Sequence, residues 1–306
     1  GAGPAAAGSR TASGGVTLRE IKFDGLDTPW VHLSPDGAKV VYVHTRGAPP
    51  RNSIRVRTLA SGEEVSLMDT VGLYADFQWS PDGSQIAYGT ASRELIVIGA
   101  AGGPPRVVWT SPVAGAMVTP LDWSPDGGRI LVSVRNQPQW SIELVILSLS
   151  GGGAAPRTLR SGRAAELDGG QFSPDGAYVA GIQRGNVYVW SVDGRQEIRV
   201  TTDSAAAPFW SPDGRFLVFE SDRSGDKDVW AVPMERGAPS GPPVRVRAGL
   251  GRRAMSTEMT ASGGLSIVTY GEGAPNDLFV LDVGPAEGGA AGAFRPVARY
   301  PTQHFQ

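Results

Sequence analysis

Residues 74–109 read YADFQWSPDGSQIAYGTASRELIVIGAAGGPPRVVW. Three alternating or apolar runs are followed by a fourth, and turn residues divide them, which predicts four short strands and no helix. The first run ends on Trp79, the second is SQIAYGT, the third ELIVIGA and the fourth RVVW, with GGPP at 102–105 as the breaker before the last. Between the first two lies WSPDG (79–83). Proline presets φ at the first central position of a type I turn. Aspartate tolerates the second and can accept a local backbone hydrogen bond, and glycine supplies the positive φ that leads into the next strand. SPDG is therefore predicted to be a hairpin turn.

The word recurs. WSPDG stands again at 123–127 and 210–214, with LSPDG at 33–37 and FSPDG at 172–176. The serines Ser34, Ser80, Ser124, Ser173 and Ser211 are 46, 44, 49 and 38 residues apart, and a degraded sixth copy, TASGG, lies at 260–264. Self-similarity at this period marks an array of four-stranded units that share one core, which overrides the two domains suggested by 306 residues. Such arrays form radial β-propellers. The aromatic before each turn (Trp79, Trp123, Phe172, Trp210) keeps step with an aliphatic after it (Ile86, Ile130, Val179, Leu217). Both are expected to point into one core between sheets, where burying such a side chain is worth roughly 1.5–3 kcal/mol. The expected fold is an all-β, six-bladed β-propeller of four-stranded antiparallel blades, with residues 1–18 a flexible Gly/Ala/Ser linker or cloning remnant and 19–306 the single domain.

The aromatic-Ser-Pro-Asp-Gly turn, followed by a segment such as SDRSGDKDVWAVP (221–233) and a Gly/Pro turn into a fourth strand, resembles the WD40-like repeat of TolB-type six-bladed propellers. The resemblance covers nearly all of residues 19–300 and departs from the pattern at TASGG. It implies a binding module; the expected location is periplasmic or extracellular, with a cytoplasmic one left open. The additional N-terminal domain of TolB cannot be formed by the 18 residues before REIKF (19–23), so that family's specific partners are not transferred.

Fourth strands are expected at EEVSL (63–67), RVVW (106–109), RTLR (157–160), EIRV (197–200), PVRV (243–246) and FRPVA (294–298). REIKF makes a seventh candidate, one more than six blades need, so one terminal strand closes the ring and the other is surplus. The tail YPTQHFQ (300–306) stands where another inner strand would begin, which suggests a chain cut from a longer protein or an irregular terminal strand.

The chain is 41% hydrophobic and 19% charged with a formal charge of −2, lacking the basic excess that carries nucleic-acid affinity. There is no cysteine, so disulfides, thiolate metal sites and cysteine nucleophiles are excluded. No apolar run approaches the roughly 20 residues of a membrane helix. Nucleophile elbow, phosphate loop, zinc-protease and dinucleotide motifs are all missing. A monomer without cofactor or metal is the expectation.

Two clusters invite chemistry. The turn aspartates Asp36, Asp82, Asp126, Asp175 and Asp213 recur once per unit, and turn-making explains them. Asp222, Asp226 and Asp228 in DRSGDKD lack the glutamate and glycine placement of a calcium loop. His32, at the end of a first strand, is a channel candidate that could share a metal with an inner-strand carboxylate such as Asp122 or Glu258.

The face opposite the SPDG turns, built from the loops between fourth and first strands and between second and third strands, is where propellers often bind partners. It carries Asp24, Asp27, Asp76, Asp168, Arg46, Arg51, Arg93, Trp140, Arg184 and Arg223, with Trp30 just inside. The candidate binding set is Trp30, His32, Asp76, Asp122, Trp140, Arg184 and Arg223. Trp140, an aromatic outside the repeat pattern, leads it. The reading is a non-enzymatic module that recognises a protein or peptide at this mouth. The alternatives are a sensor or gating propeller of a larger receptor kinase or serine peptidase, and a metal- or carbohydrate-binding propeller with lyase or hydrolase activity.

Overall fold

A computed structural model describes residues 8–12, 16–22, 31–46, 51–70, 76–90, 92–136, 139–149, 155–225, 227–247, 254–259, 265–271 and 274–283. Among them there is no helix, and the strands form six antiparallel sheets. Sheet 1 comprises Val31–Leu33, Lys39–Arg46, Arg51–Thr58 and Glu64–Thr70. Sheet 2 is Phe77–Trp79, Gln85–Gly89, Glu94–Gly99 and Arg106–Thr110. Sheet 3 is Ala116–Trp123, Arg129–Asn136, Ser141–Ser148 and Arg157–Arg163. Sheet 4 is Leu167–Phe172, Tyr178–Gln183, Asn186–Ser191 and Glu197–Arg199. Sheet 5 is Ala205–Trp210, Phe216–Ser221, Asp228–Glu235 and Val244–Arg247, with the short Ala238–Pro239 hairpin strand beside the third.

Sheet 6 settles which terminal strand is used. Ala254–Met259, Leu265–Gly271 and Ala274–Val283 are followed across the sheet by Val16–Lys22, which runs antiparallel to Ala274–Val283 from Val16↔Val283 to Lys22↔Asp277. The N-terminal segment thus supplies the fourth strand of the last sheet. Gly8–Ala12 adds a fifth strand outside it. Residues 8–12 and 16–18, expected as linker, are therefore strand. Their backbone groups find an open sheet edge that a local reading of glycine and alanine content does not reveal. FRPVA, TASGG and the tail after Val283 lie outside the described residues.

The SPDG turns follow the expected geometry. The glycine amide donates to the serine carbonyl at 2.7–2.8 Å in all five turns, and each glycine has φ of 67–69°. Sequence reading missed what the serine does. Ser34, Ser80, Ser124, Ser173 and Ser211 are buried, and each hydroxyl donates to the aspartate two residues on at 2.5–2.6 Å. Each also accepts the amide of the residue five positions later at 2.8–2.9 Å. The hydroxyl thus bridges the turn to the start of the next strand. The same device appears without proline at Ser191-Val-Asp-Gly194, in the hairpin between the third and fourth strands of sheet 4. A search for SPDG passes over it.

In four of these turns the hydrogen bonds favour the charged carboxylate. The Ser80 hydroxyl first, then the Ser84 amide and hydroxyl, lowers Asp82 to about 2. Asp36, Asp126 and Asp193 are lowered too, mainly by Ser34, Ser124 and Ser191. A depressed native value means that the unfolded chain takes up protons first. The stabilisation is complete above the ordinary carboxylate value of 3.8 and is lost as pH falls toward the native value near 2. Urea midpoints are therefore expected to fall between about pH 5 and pH 2, and Asp82→Asn is expected to flatten that fall. An unchanged pH slope in the variant would contradict this account.

The core lies between sheets. Trp79↔Ile86, Trp123↔Ile130, Phe172↔Val179 and Trp210↔Leu217 are direct cross-strand pairs, and all eight side chains are buried. Each pair faces the preceding sheet: Trp79 and Ile86 pack with Val41, Val43, Ile54 and Val56 of sheet 1, and Trp210 and Leu217 with Ala180, Val187 and Val189 of sheet 4. On the outer strands, register shifts pass over Leu67, Val108, Leu159 and Val246 in sheets 1, 2, 3 and 5. Such bulges twist an edge away from regular pairing with another chain.

Candidate functional site

The mouth opposite the SPDG turns is built by the loops that join successive sheets and by the turns between second and third strands. At its inner rim His32, in the first strand of sheet 1, sits with Nε2 2.7 Å from Asp76 Oδ1, just before the first strand of sheet 2. The two residues were nominated separately, and the structure joins them across a sheet boundary.

The proposed sharing of a metal by His32 and Asp122 is not what the structure brings together. Asp122 Oδ2 accepts the Phe172 amide at 2.7 Å, linking sheet 3 to sheet 4. This belongs to a series at the residue before the turn aromatic. Trp79 Nε1 donates to the His32 carbonyl at 3.0 Å, and Trp123 Nε1 donates to the Gln78 carbonyl at 3.3 Å. At the next two boundaries the backbone amide is used instead: Phe172 donates to Asp122, and Trp210, whose indole N–H has no partner, donates its amide to Gln171 Oε1 at 2.7 Å. Position 122 is therefore an inter-sheet stitch. The side chain of Glu258 lies outside the described residues, and among those described no three His, Cys, Asp or Glu side chains gather as a ligand set.

Arg223 is also drawn inward. Its guanidinium lies 2.9 Å from Asp203 Oδ1 and stacks over the Trp230 and Phe219 rings at 4.8 and 5.1 Å, leaving the side chain 18% exposed. Its task is to tie the second-to-third-strand loop of sheet 5 to the loop entering that sheet. In the same loop Asp228, 1% exposed, meets the Ser224 hydroxyl at 2.5 Å and Arg245 at 3.3 Å, so this part of the calcium-like segment is structural. Asp226 lies outside the described residues, as do Trp30, Asp24 and Asp27.

Trp140 and Arg184 stay at the surface. Trp140 is 70% exposed at φ 48°, in the turn between Asn136 and Ser141, and its carbonyl accepts the Ala164 amide at 2.8 Å. A ring with that exposure is not packed against the edge of its own sheet. Arg184, at φ 50°, forms the two-residue turn with Gly185 and has a 72% exposed side chain, with Glu166 3.7 Å away. Behind them Arg135 bonds Asp168 at 2.9 Å across the boundary of sheets 3 and 4. The site that results is a rim fixed by ion pairs between neighbouring loops, from which an aromatic ring and an arginine project.

No family model matches the sequence. An uncharacterised protein of Agrobacterium fabrum is 27% identical over 204 residues, which is 63% of this chain and 68% of that protein. Among solved structures, a protein described as a TolB from Agrobacterium tumefaciens aligns with TM-score 0.56 and 24% identity over 71% of this chain and 77% of its own. An oligogalacturonate lyase in complex with manganese aligns with TM-score 0.59 and 15% identity over 90% and 96%. Prolyl oligopeptidase B from Galerina marginata aligns with TM-score 0.58 and 14% identity over 88% of this chain but 45% of its own length. Identities this low carry the architecture and not the chemistry. Four-stranded antiparallel sheets stacked through their inner strands, together with these neighbours, give the chain a TolB-like β-propeller fold.

Proposed function

We propose that this chain is a six-bladed propeller, closed by its N-terminal strand, that acts as a monomeric binding module for a protein or peptide at the mouth described above. Six sheets among the described residues and the register of Val16–Lys22 on Ala274–Val283 support the ring. The observation that carries the binding role is Trp140. A large ring left 70% exposed, on a turn docked to the adjoining loop, is a rigid amphipathic anchor of the kind that dominates interface energetics.

Panning a random peptide display library on the immobilised protein tests this reading. Enriched peptides are expected to lose at least about tenfold in affinity for Trp140→Ala, the cost of removing a central aromatic anchor. Peptides that bind parent and variant equally would place the site elsewhere.

A second reading is favoured by the coverage of the peptidase structures: this propeller matches less than half of such a chain, so it also suits a sensor or gating domain beside a catalytic one. If a longer gene product carries this propeller, release of a stable fragment beginning near Gly8 on limited proteolysis would support that reading. An extracytoplasmic location accords with either.

A further inference from the structure

Three neighbouring turns on the mouth share an unusual choice of residue. In sheets 2, 3 and 4 the turn between second and third strands holds a large side chain in the left-handed region: Arg93 at φ 63°, Trp140 at φ 48° and Arg184 at φ 50°. Glycine or asparagine is the ordinary occupant of such a position, and a bulky residue is disfavoured there by the clash of its β-carbon with the backbone. Each turn is also latched by its backbone to a loop between sheets, the first two to the loop leaving their own sheet and the third to the loop entering it. The Ser111 amide donates to Arg93 O at 2.9 Å, the Ala164 amide to Trp140 O at 2.8 Å, and the Arg184 amide to Glu166 O at 2.7 Å. Strained backbone, held by its surroundings and repeated at equivalent places, directs the three side chains from one rim.

The loop carboxylates Asp76, Asp168 and Asp203 are bound to His32, Arg135 and Arg223. Arg93 makes no ion pair among the described residues, and Glu166 stands 3.7 Å from an otherwise exposed Arg184. The arc therefore offers a cation, an apolar plane and a cation in series.

We infer that Arg93, Trp140 and Arg184 form one recognition strip for an acidic peptide segment of a partner protein, in which an apolar or aromatic residue is flanked by carboxylates. The inference rests on the mouth-binding reading above and gives its partner a chemistry. Sheets packed face to face lie about 10 Å apart, and an extended chain advances about 3.3 Å per residue, so each acid should sit about three residues from the central apolar one. Arginine suits the two outer positions because its planar fork accepts a carboxylate in bidentate fashion.

The panning experiment decides this, with sequencing of the enriched pool and the double variant Arg93→Gln/Arg184→Gln as a second bait. Expected are pools rich in Asp and Glu on either side of an apolar residue. A synthetic Glu-Ser-Ser-Phe-Ser-Ser-Glu peptide should lose at least about tenfold in affinity to the double variant, and a similar factor when its glutamates become glutamine. Binding should also weaken as salt is raised. Enriched peptides that depend on Trp140 but carry no acidic bias, or that bind the double variant unchanged, overturn the acidic strip and leave the mouth reading standing. Pools indifferent to Trp140→Ala overturn both. Arginine-dependent binding of an oligouronide with no peptide enriched would replace the peptide by a polyanionic sugar and overturn the inference as stated.

Discussion

Gly89→Ala is expected to destabilise the protein by about 3 kcal/mol or more, the upper end of what an added methyl group costs in a packed interior. Gly89 ends the second strand of sheet 2 where the first strand of sheet 3 crosses it. A β-carbon there would overlap the Val118 carbonyl oxygen and lie 2.8 Å from its carbon. The obstacle is backbone, so no rotamer change relieves it. Either sheet 3 moves outward, opening the core between Ala87, Leu95, Val118 and Trp123, or the strand frays before residue 89. Both routes affect buried side chains, and a urea titration is expected to show a lower midpoint with the fold's strand content kept in mild conditions. A midpoint equal to the parent's would mean that the two sheets are not in contact at Gly89.

Trp190→Ala is the second large loss, about 3–5 kcal/mol, the usual cost of truncating a buried aromatic to alanine. In the other sheets the row that begins at the turn aromatic ends on an aliphatic third-strand residue: Trp79–Ile86–Ile98, Trp123–Ile130–Leu147 and Trp210–Leu217–Val232. Sheet 4 redistributes the volume. Its row is Phe172–Val179–Trp190, and Gly181 stands where Tyr88, Val132 and Phe219 stand in their own sheets. A β-carbon on Gly181 would come 2.7 Å from Trp190 Cζ3, so the indole occupies the space that the glycine leaves. Tyr188 stacks near it at 6.2 Å, and Arg160 covers it at 5.5 Å. Alanine would open a cavity bounded by strands that cannot collapse without breaking their ladders. Trp190→Phe is expected to cost clearly less, because the indole N–H has no partner and leaves with the lost volume. Comparable losses in the two variants would contradict this packing account.

The sequence by itself carried a good deal of this protein. Turn chemistry is local: proline, aspartate and glycine at fixed offsets specify a hairpin wherever they occur, and five copies at a period near 45 residues specify an array of four-stranded sheets. The pairing of Trp79 with Ile86 and its counterparts was legible for the same reason, because a tight turn fixes the register of its two strands. Trp140 could be singled out because it breaks the repeat.

What joins one unit to the next was not legible, since residues from different units meet only after each unit has set its position. His32 and Asp76 are 44 positions apart, and nothing in either segment announces the other. Asp122 looked like a channel ligand because its strand is innermost; only the neighbouring sheet shows that the Phe172 amide takes it. Arg223 read as a surface cation, and it is the rings of Phe219 and Trp230 with Asp203 that draw it in. The choice of Val16–Lys22 as the last sheet's fourth strand is of the same kind: any alternating segment can satisfy a free edge, and the tertiary arrangement decides which end of the chain reaches it.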